Sequence, residues 1–143
     1  MKKKICIVQS IYNEDITEKL CSGASKALKA YRVKHSIEKV SGAFEIPVMI
    51  ARLAKKYDGF IAIGCIIKGK TANFDLISNA ITNGIMQISI NEKKPIGNGI
   101  ITSFNKEQCL ERLDKGKEAA IAVINVLKIK NPNNLEERFP ESK

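Results

Sequence analysis

The run Phe60-Ile61-Ala62-Ile63-Gly64-Cys65-Ile66-Ile67 constrains this chain more than any other segment. It carries neither charge nor hydroxyl, so it has no polar face to turn toward water. Asp58-Gly59 bounds it on one side and Lys68-Gly69-Lys70-Thr71 on the other. A run this short suits a central parallel strand covered on both faces better than a buried helix.

Such a strand needs helices above and below it, and the neighbouring sequence supplies them. Residues 4–9 form a second short apolar strand. Ile16, Leu20, Ala24, Ala27, Leu28 and Tyr31 then recur at helical spacing, with Asn13 as N-cap and Glu14 and Asp15 at the positive helix end. Val33, Ser36, Ile37 and Val40 mark a more exposed strand over 33–40, suited to a sheet edge. Pro47 fits the first turn of a helix reaching Tyr57. Phe74, Ile77, Ile81, Ile85 and Ile88 predict a further helix, residues 96–102 a fourth strand, and Cys109, Leu113, Ala120, Val123 and Leu127 a helical remainder to about Lys130.

Strands alternating with helices predict an α/β fold, a flavodoxin-like three-layer sandwich with a four-stranded parallel sheet. Residues 1–130 form a single domain in this reading, and 131–143 a polar C-terminal tail with two prolines. Ligands of such folds bind at the carboxyl ends of the strands, which selects loops 9–14, 41–46, 65–73, 97–103 and 112–117.

No apolar run approaches a membrane span. The basic start is followed by too short an apolar stretch for a signal peptide, so a cytoplasmic protein is expected. Cys6, Cys21, Cys65 and Cys109 lack the spacing of a zinc or redox motif and are expected to be free thiols. The net charge of +9 raises nucleic-acid binding. Its lysines are spread along the chain, arginines are few, and no basic stretch is interleaved with aromatics. A solvated lysine-rich surface with no nucleic-acid and no membrane partner is the expectation.

The sole histidine, His35, lies in the second predicted strand, away from the selected loops. No histidine-based nucleophile system can be built there, and no metal-ligand cluster is evident. The loops instead suggest phosphate and a planar ring. Lys68-Gly69-Lys70-Thr71 precedes a helix, where backbone N–H groups bind anions, although taken alone these residues read more readily as an ordinary strand-to-helix turn. Phe44 beside Glu45, and Tyr12 beside Asn13, offer rings that either stack on a heterocycle or plug a surface.

These residues resemble a known family. Gly42-Ala43-Phe44-Glu45-Ile46-Pro47 is a segment typical of lumazine synthases. Gly64-Cys65-Ile66-Ile67-Lys68-Gly69-Lys70-Thr71-Ala72-Asn73-Phe74 is similar to that family's G-x-V-I-R-G-x-T-x-H-F. Pro95-Ile96-Gly97-Asn98-Gly99-Ile100-Ile101-Thr102 and Glu107-Gln108-Cys109-Leu110-Glu111-Arg112 resemble its fourth strand and its E-Q-A-x-x-R helix. Tyr12-Asn13 stands where Phe-Asn or Trp-Asn is usual.

The resemblance implies condensation of 5-amino-6-ribitylaminouracil with 3,4-dihydroxy-2-butanone 4-phosphate to 6,7-dimethyl-8-ribityllumazine, without a cofactor or metal. It implies that Tyr12, Ala43, Phe44, Glu45, Cys65, Ile66, Ile67 and Asn98 bind the uracil and its ribityl chain. Lys70, Thr71 and Arg112 would bind phosphate, with Lys115 near the same pocket. It also implies a homopentamer, or a multiple of one, with the pocket between neighbouring subunits. An impaired relative that binds a flavin or lumazine, or serves as a shell protein, is the competing reading.

Three departures accompany the resemblance. Asn73 stands at the family's proton-transfer histidine, and an amide cannot shuttle a proton at neutral pH. Lys68 replaces an arginine. Only Leu113-Asp114-Lys115 separates Arg112 from Gly116, fewer residues than usual. A slow enzyme is the expectation, because positioning of two substrates survives loss of a proton shuttle.

Overall fold

The computed structural model describes residues 2–69 and 73–132. Lys70, Thr71 and most of the expected tail, from 133 onward, lie outside the described residues. Four strands, β1 (Lys4–Ser10), β2 (Lys34–Val40), β3 (Gly59–Ile67) and β4 (Ile96–Ser103), form one sheet in the order β2-β1-β3-β4. All pairs are parallel, with Cys6 opposite both Ser36 and Phe60, and Ile61 opposite Gly97. The helices are α1 (Glu14–Ala30), α2 (Ile46–Leu53), α3 (Asn73–Glu92), α4 (Lys106–Leu110) and α5 (Lys115–Leu127).

The two-residue period of the strands sorts their side chains onto two faces. Ile5, Ile7, Ile61, Ile63, Cys65 and Ile101 meet Ile16, Leu20, Ala24 and Leu28 of α1 and Ala120, Val123 and Ile124 of α5. Cys6, Val8, Phe60, Ala62 and Ile100 face the other way, onto Ile46 and Ile50 of α2 and Ile81 and Ile85 of α3. The expected three-layer sandwich and four-stranded parallel sheet are therefore present, with the apolar run 60–67 in the interior. Strand β2 lies at the edge, as its alternating pattern implied.

Three local expectations need correction. The helix through Pro47 ends at Leu53 rather than reaching Tyr57. The C-terminal helical stretch is not continuous, because a short α4 ends at Leu110 and α5 restarts at Lys115. Lys128 then takes a left-handed conformation (φ 58°) and closes α5. Asn13 does occupy the N-cap of α1, but in a left-handed conformation (φ 60°) and with no side-chain cap bond. Its amide donates instead to the Cys65 carbonyl at 3.4 Å, across the sheet's switch point between β1 and β3.

Two glycines let α5 dock closely. A Cβ on Gly97 would collide with the Ala119 carbonyl oxygen, and one on Gly116 with the Leu20 carbonyl oxygen. Gly116 thus seats the start of α5 against α1, and Lys115 is positioned beside it.

Candidate active site at the carboxyl ends of the strands

The residues singled out above gather in two groups at the carboxyl end of the sheet. The first spans the ends of β1, β2 and β3. Tyr12 follows β1 and is 71% exposed. Beyond β2, Ala43–Glu45 form one 3₁₀ turn in which the Glu45 carboxylate accepts the Gly42 N–H at 3.0 Å. That bond fixes the turn and leaves the Phe44 ring outward, 62% exposed. A Cβ on Gly64 would lie 3.4 Å from that of Ala43 and 3.3 Å from the Ser10 hydroxyl, so the turn sits directly over β3. Two exposed rings and a carboxylate beside a strand end form a surface able to stack on a planar heterocycle and to accept hydroxyl hydrogen bonds.

The second group surrounds a cavity of about 160 Å³ between β3, β4, α3 and the α4–α5 connection. Ile66, Ile81 and Ile100 form its apolar floor. Asn98, Thr102, Arg112 and Lys115 supply polar groups, together with Ser78 and Thr82 of α3. Arg112 donates from Nη1 to the Thr102 carbonyl at 2.9 Å, and Asn98 Oδ1 accepts the Ile100 N–H at 3.1 Å. No carboxylate is among the described lining residues. Two cations without a counter-charge make this a place for an anion.

Larger concavities of about 330, 380 and 550 Å³ lie elsewhere, at the opposite end of the sheet and on the outer face of α5. They are set aside as the reaction site, because none lies at the strand carboxyl ends.

Sequence reasoning did not single out Ser78 and Thr82. Thr82 donates to the Ser78 carbonyl at 2.8 Å, whereas the Ser78 hydroxyl is buried without a partner among the described residues. Their four-residue spacing, which places both on one helical face, was the available signal.

Cys65 is buried rather than presented to the surface, and its carbonyl accepts the Asn13 amide. Its Sγ lies 3.1 Å from Cys109 Sγ, and Cys109 Sγ lies 2.8 Å from Ser103 Oγ. Ser103 donates to the Asn105 carbonyl, so the thiol protons run from Cys65 to Cys109 to Ser103. Burial first, and then the Cys109 contact, push the Cys65 thiol up to about 12. It is a neutral structural group at pH 7. All four cysteines are free and buried, as the sequence implied.

Ile67 is half-buried against the α1/α5 layer. Asn73 begins α3, is exposed, and has an interaction partner. His35 is held away from the site, 2.9 Å from Ser25 Oγ and 3.3 Å from the Val33 carbonyl. An exposed ion pair, Lys106 to Asp15 at 2.6 Å, ties α4 to the first turn of α1, and its hydrogen bond holds Asp15 below the usual carboxylate range.

Residues 2–131 match the family model of 6,7-dimethyl-8-ribityllumazine synthase. The chain belongs to the lumazine synthase family. Proteins named 6,7-dimethyl-8-ribityllumazine synthase resemble it along most of both chains. The one from Leuconostoc mesenteroides is 39% identical, covering 89% of this chain and 88% of its own. Those from Corynebacterium kroppenstedtii and Methylorubrum populi are 37% and 36% identical, covering 85% and 93% of this chain and 81% and 86% of theirs. Lumazine synthase membership makes this chain a transferase of riboflavin biosynthesis. None of its described helices is long and apolar enough to cross a membrane.

Proposed function

We propose that the chain condenses 5-amino-6-ribitylaminouracil with 3,4-dihydroxy-2-butanone 4-phosphate, losing phosphate and water to give 6,7-dimethyl-8-ribityllumazine. The observation that carries this reading is the cavity holding Arg112 and Lys115 at the strand carboxyl ends, with no carboxylate among its described lining residues. In this assignment the cavity receives the phosphate end of the four-carbon substrate, and Lys70 and Thr71 also bind that phosphate. Tyr12 and Phe44 stack on the pyrimidine, Glu45 accepts ribityl hydroxyls, and Ala43, Ile67 and the Cys65 backbone line the ring, while Ile66 and Asn98 border the phosphate cavity.

The 5-amino group of the pyrimidine attacks the ketone, and a first water leaves as the imine forms. Loss of phosphate gives an enol that tautomerises to a carbonyl. The ribityl-bearing nitrogen attacks that carbonyl, closing the second ring with loss of a second water. Arg112 and Lys115 stabilise the charge that collects on the departing phosphate. Asn73 orients a group by hydrogen bonding but transfers no proton, so solvent carries the protons. Turnover is slow as a result, by about 10²–10⁴-fold relative to a positioned acid–base group.

The two groups of residues are separate within one chain, which supports completion of the pocket by a neighbouring subunit. Leu76, Met86 and Ile90 on α3 and Val48 on α2 are all more than half exposed, which supports a homopentamer. We assign the protein to the cytoplasm.

Incubation of the purified protein with both substrates, followed by lumazine fluorescence, tests the reading. Product above the substrate-only background is expected. Background-level product together with measurable binding of the uracil would favour a flavin- or lumazine-binding relative, the reading that Asn73 supports.

A further inference from the structure

The cations are dispersed in sequence, yet the fold collects many of them at one end. Because all four strands are parallel, their amino ends share one face, opposite the candidate active site. Lys2, Lys3 and Lys4 lead into β1, and Arg32 and Lys34 into β2. Lys55 and Lys56 precede β3, Lys93 and Lys94 precede β4, and Lys128 follows α5.

These side chains line three concavities of about 380, 240 and 330 Å³. The first two share Lys2 and Lys3, and the last two share Lys94, so the three form one continuous basic surface. Asp58 is the one carboxylate among the described lining residues, and its Oδ2 accepts the Lys4 backbone N–H at 2.8 Å. At the margin, Glu92 pairs with Lys55 at 3.1 Å. Ten cations against these two carboxylates account for nearly all of the chain's net charge of +9. The expectation of a scattered, solvated lysine surface holds along the chain but not in space.

Like charges gathered on one face repel and disfavour the compact state, and a polyanion relieves that repulsion. The composition of the face distinguishes between polyanions. Protein interfaces are anchored by buried aromatics and arginines. Among the described lining residues Arg32 is the single arginine. The one aromatic lining residue, Tyr57, is half-buried, with its hydroxyl 2.7 Å from Ser36 Oγ and its ring edge-on to Phe60. Lysines act as point charges that meet phosphates without selecting a sequence. With no free ring for base stacking, single strands gain nothing over duplexes and lose charge density. We propose that the amino-end face of the sheet docks the phosphate backbone of double-stranded nucleic acid without sequence preference.

The test is fluorescence anisotropy of the full chain with short labelled DNA and RNA duplexes and their single strands, over rising potassium chloride. Duplexes should bind more tightly than single strands, with log affinity falling linearly with log salt. The charge reversals Lys3→Glu and Lys56→Glu together should weaken binding at least about 10-fold and reduce the salt slope by about two or more. Lys19→Glu and Lys117→Glu together change the net charge equally but lie on exposed α1 and α5 positions toward the other end. They should weaken binding less than about 3-fold. Equal losses for the two pairs would reduce the effect to net charge and overturn the proposal, as would no binding at low salt. Poly-glutamate that competes as well as a duplex of equal charge would also overturn it, in favour of an acidic protein. Lumazine formation is independent of this face, so Lys3→Glu and Lys56→Glu should leave it unchanged.

Discussion

Arg112 donates from Nη1 to the Thr102 carbonyl oxygen at 2.9 Å, which pins the guanidinium to the carboxyl end of β4 at the edge of the cavity it shares with Lys115. The bond uses one donor of a planar fork and leaves the others for an anion. Lysine can keep the charge at this position but cannot hold the carbonyl and grip a phosphate with the same geometry. Arg112→Lys and Arg112→Ala should both raise KM for the keto-phosphate, by about 10- to 100-fold, since hydrogen bonds to charged groups contribute about 1.5–3 kcal/mol. KM for the ribitylaminouracil should stay within about 2-fold, because the cavity is separate from the Tyr12 and Phe44 surface. Steady-state kinetics with each substrate varied in turn measures this. A parallel rise in both constants would place Arg112 elsewhere.

Asn73 opens α3 at the carboxyl end of the sheet, and the sole histidine is held in β2 by Ser25 and Val33. The described site therefore holds no imidazole. The rate of the native protein should be nearly flat between about pH 6 and 8. Asn73→His should raise kcat by about 10²-fold and introduce a pH-dependent limb near 6.5. A pH–rate profile of both proteins is the measurement, and a native profile with a limb near 6.5 would contradict this account.

The layer order was legible because apolar periodicity encodes which face of each element is covered, and the run 60–67 could only be interior. The strand ends that form the site were legible for the same reason, since parallel topology dictates where the loops cluster. Three features depended on three-dimensional detail. Asn13 looked like a capping residue, but its amide reaches the Cys65 carbonyl, a long-range bond that no local pattern encodes. Ser78 and Thr82 are ordinary helical polar residues until β4 and Arg112 are placed against them. Lysines far apart in sequence converge only when four strand entrances are brought together.

Gly116 is the contact point at which α5 meets α1, and an added Cβ would strike the Leu20 carbonyl and its neighbouring backbone atoms. Backbone cannot rotate away as a side chain can, so the helices must separate. Gly116→Ala should cost about 2–3 kcal/mol, at the upper part of the overpacking range. Denaturant unfolding would record it as a lower midpoint with an unchanged slope. Because Lys115 is the adjoining residue, the same variant should also raise KM for the keto-phosphate. A stability unchanged within about 0.5 kcal/mol would show that α5 is not seated so closely.

Burial governs the thiols, and it predicts how the fold responds to alkali. Cys6 and Cys21 are pushed up to about 11 and Cys65 to about 12, in each case first by burial, from an ordinary value of 9.0. Below that ordinary value neither the folded nor the unfolded chain ionises these groups, and their contribution to stability is fully present. Above it the unfolded chain releases protons that the native protein retains, so unfolding gains ground until the pH passes the folded values. The melting temperature should therefore fall as pH rises from about 9 to 11. Lysine deprotonation changes stability over part of the same range, so the informative comparison is with Cys21→Ala, which removes one such group from the α1 core face. Its melting temperature should fall less steeply with pH than that of the native chain. Identical slopes would mean that thiol ionisation is not what weakens the fold.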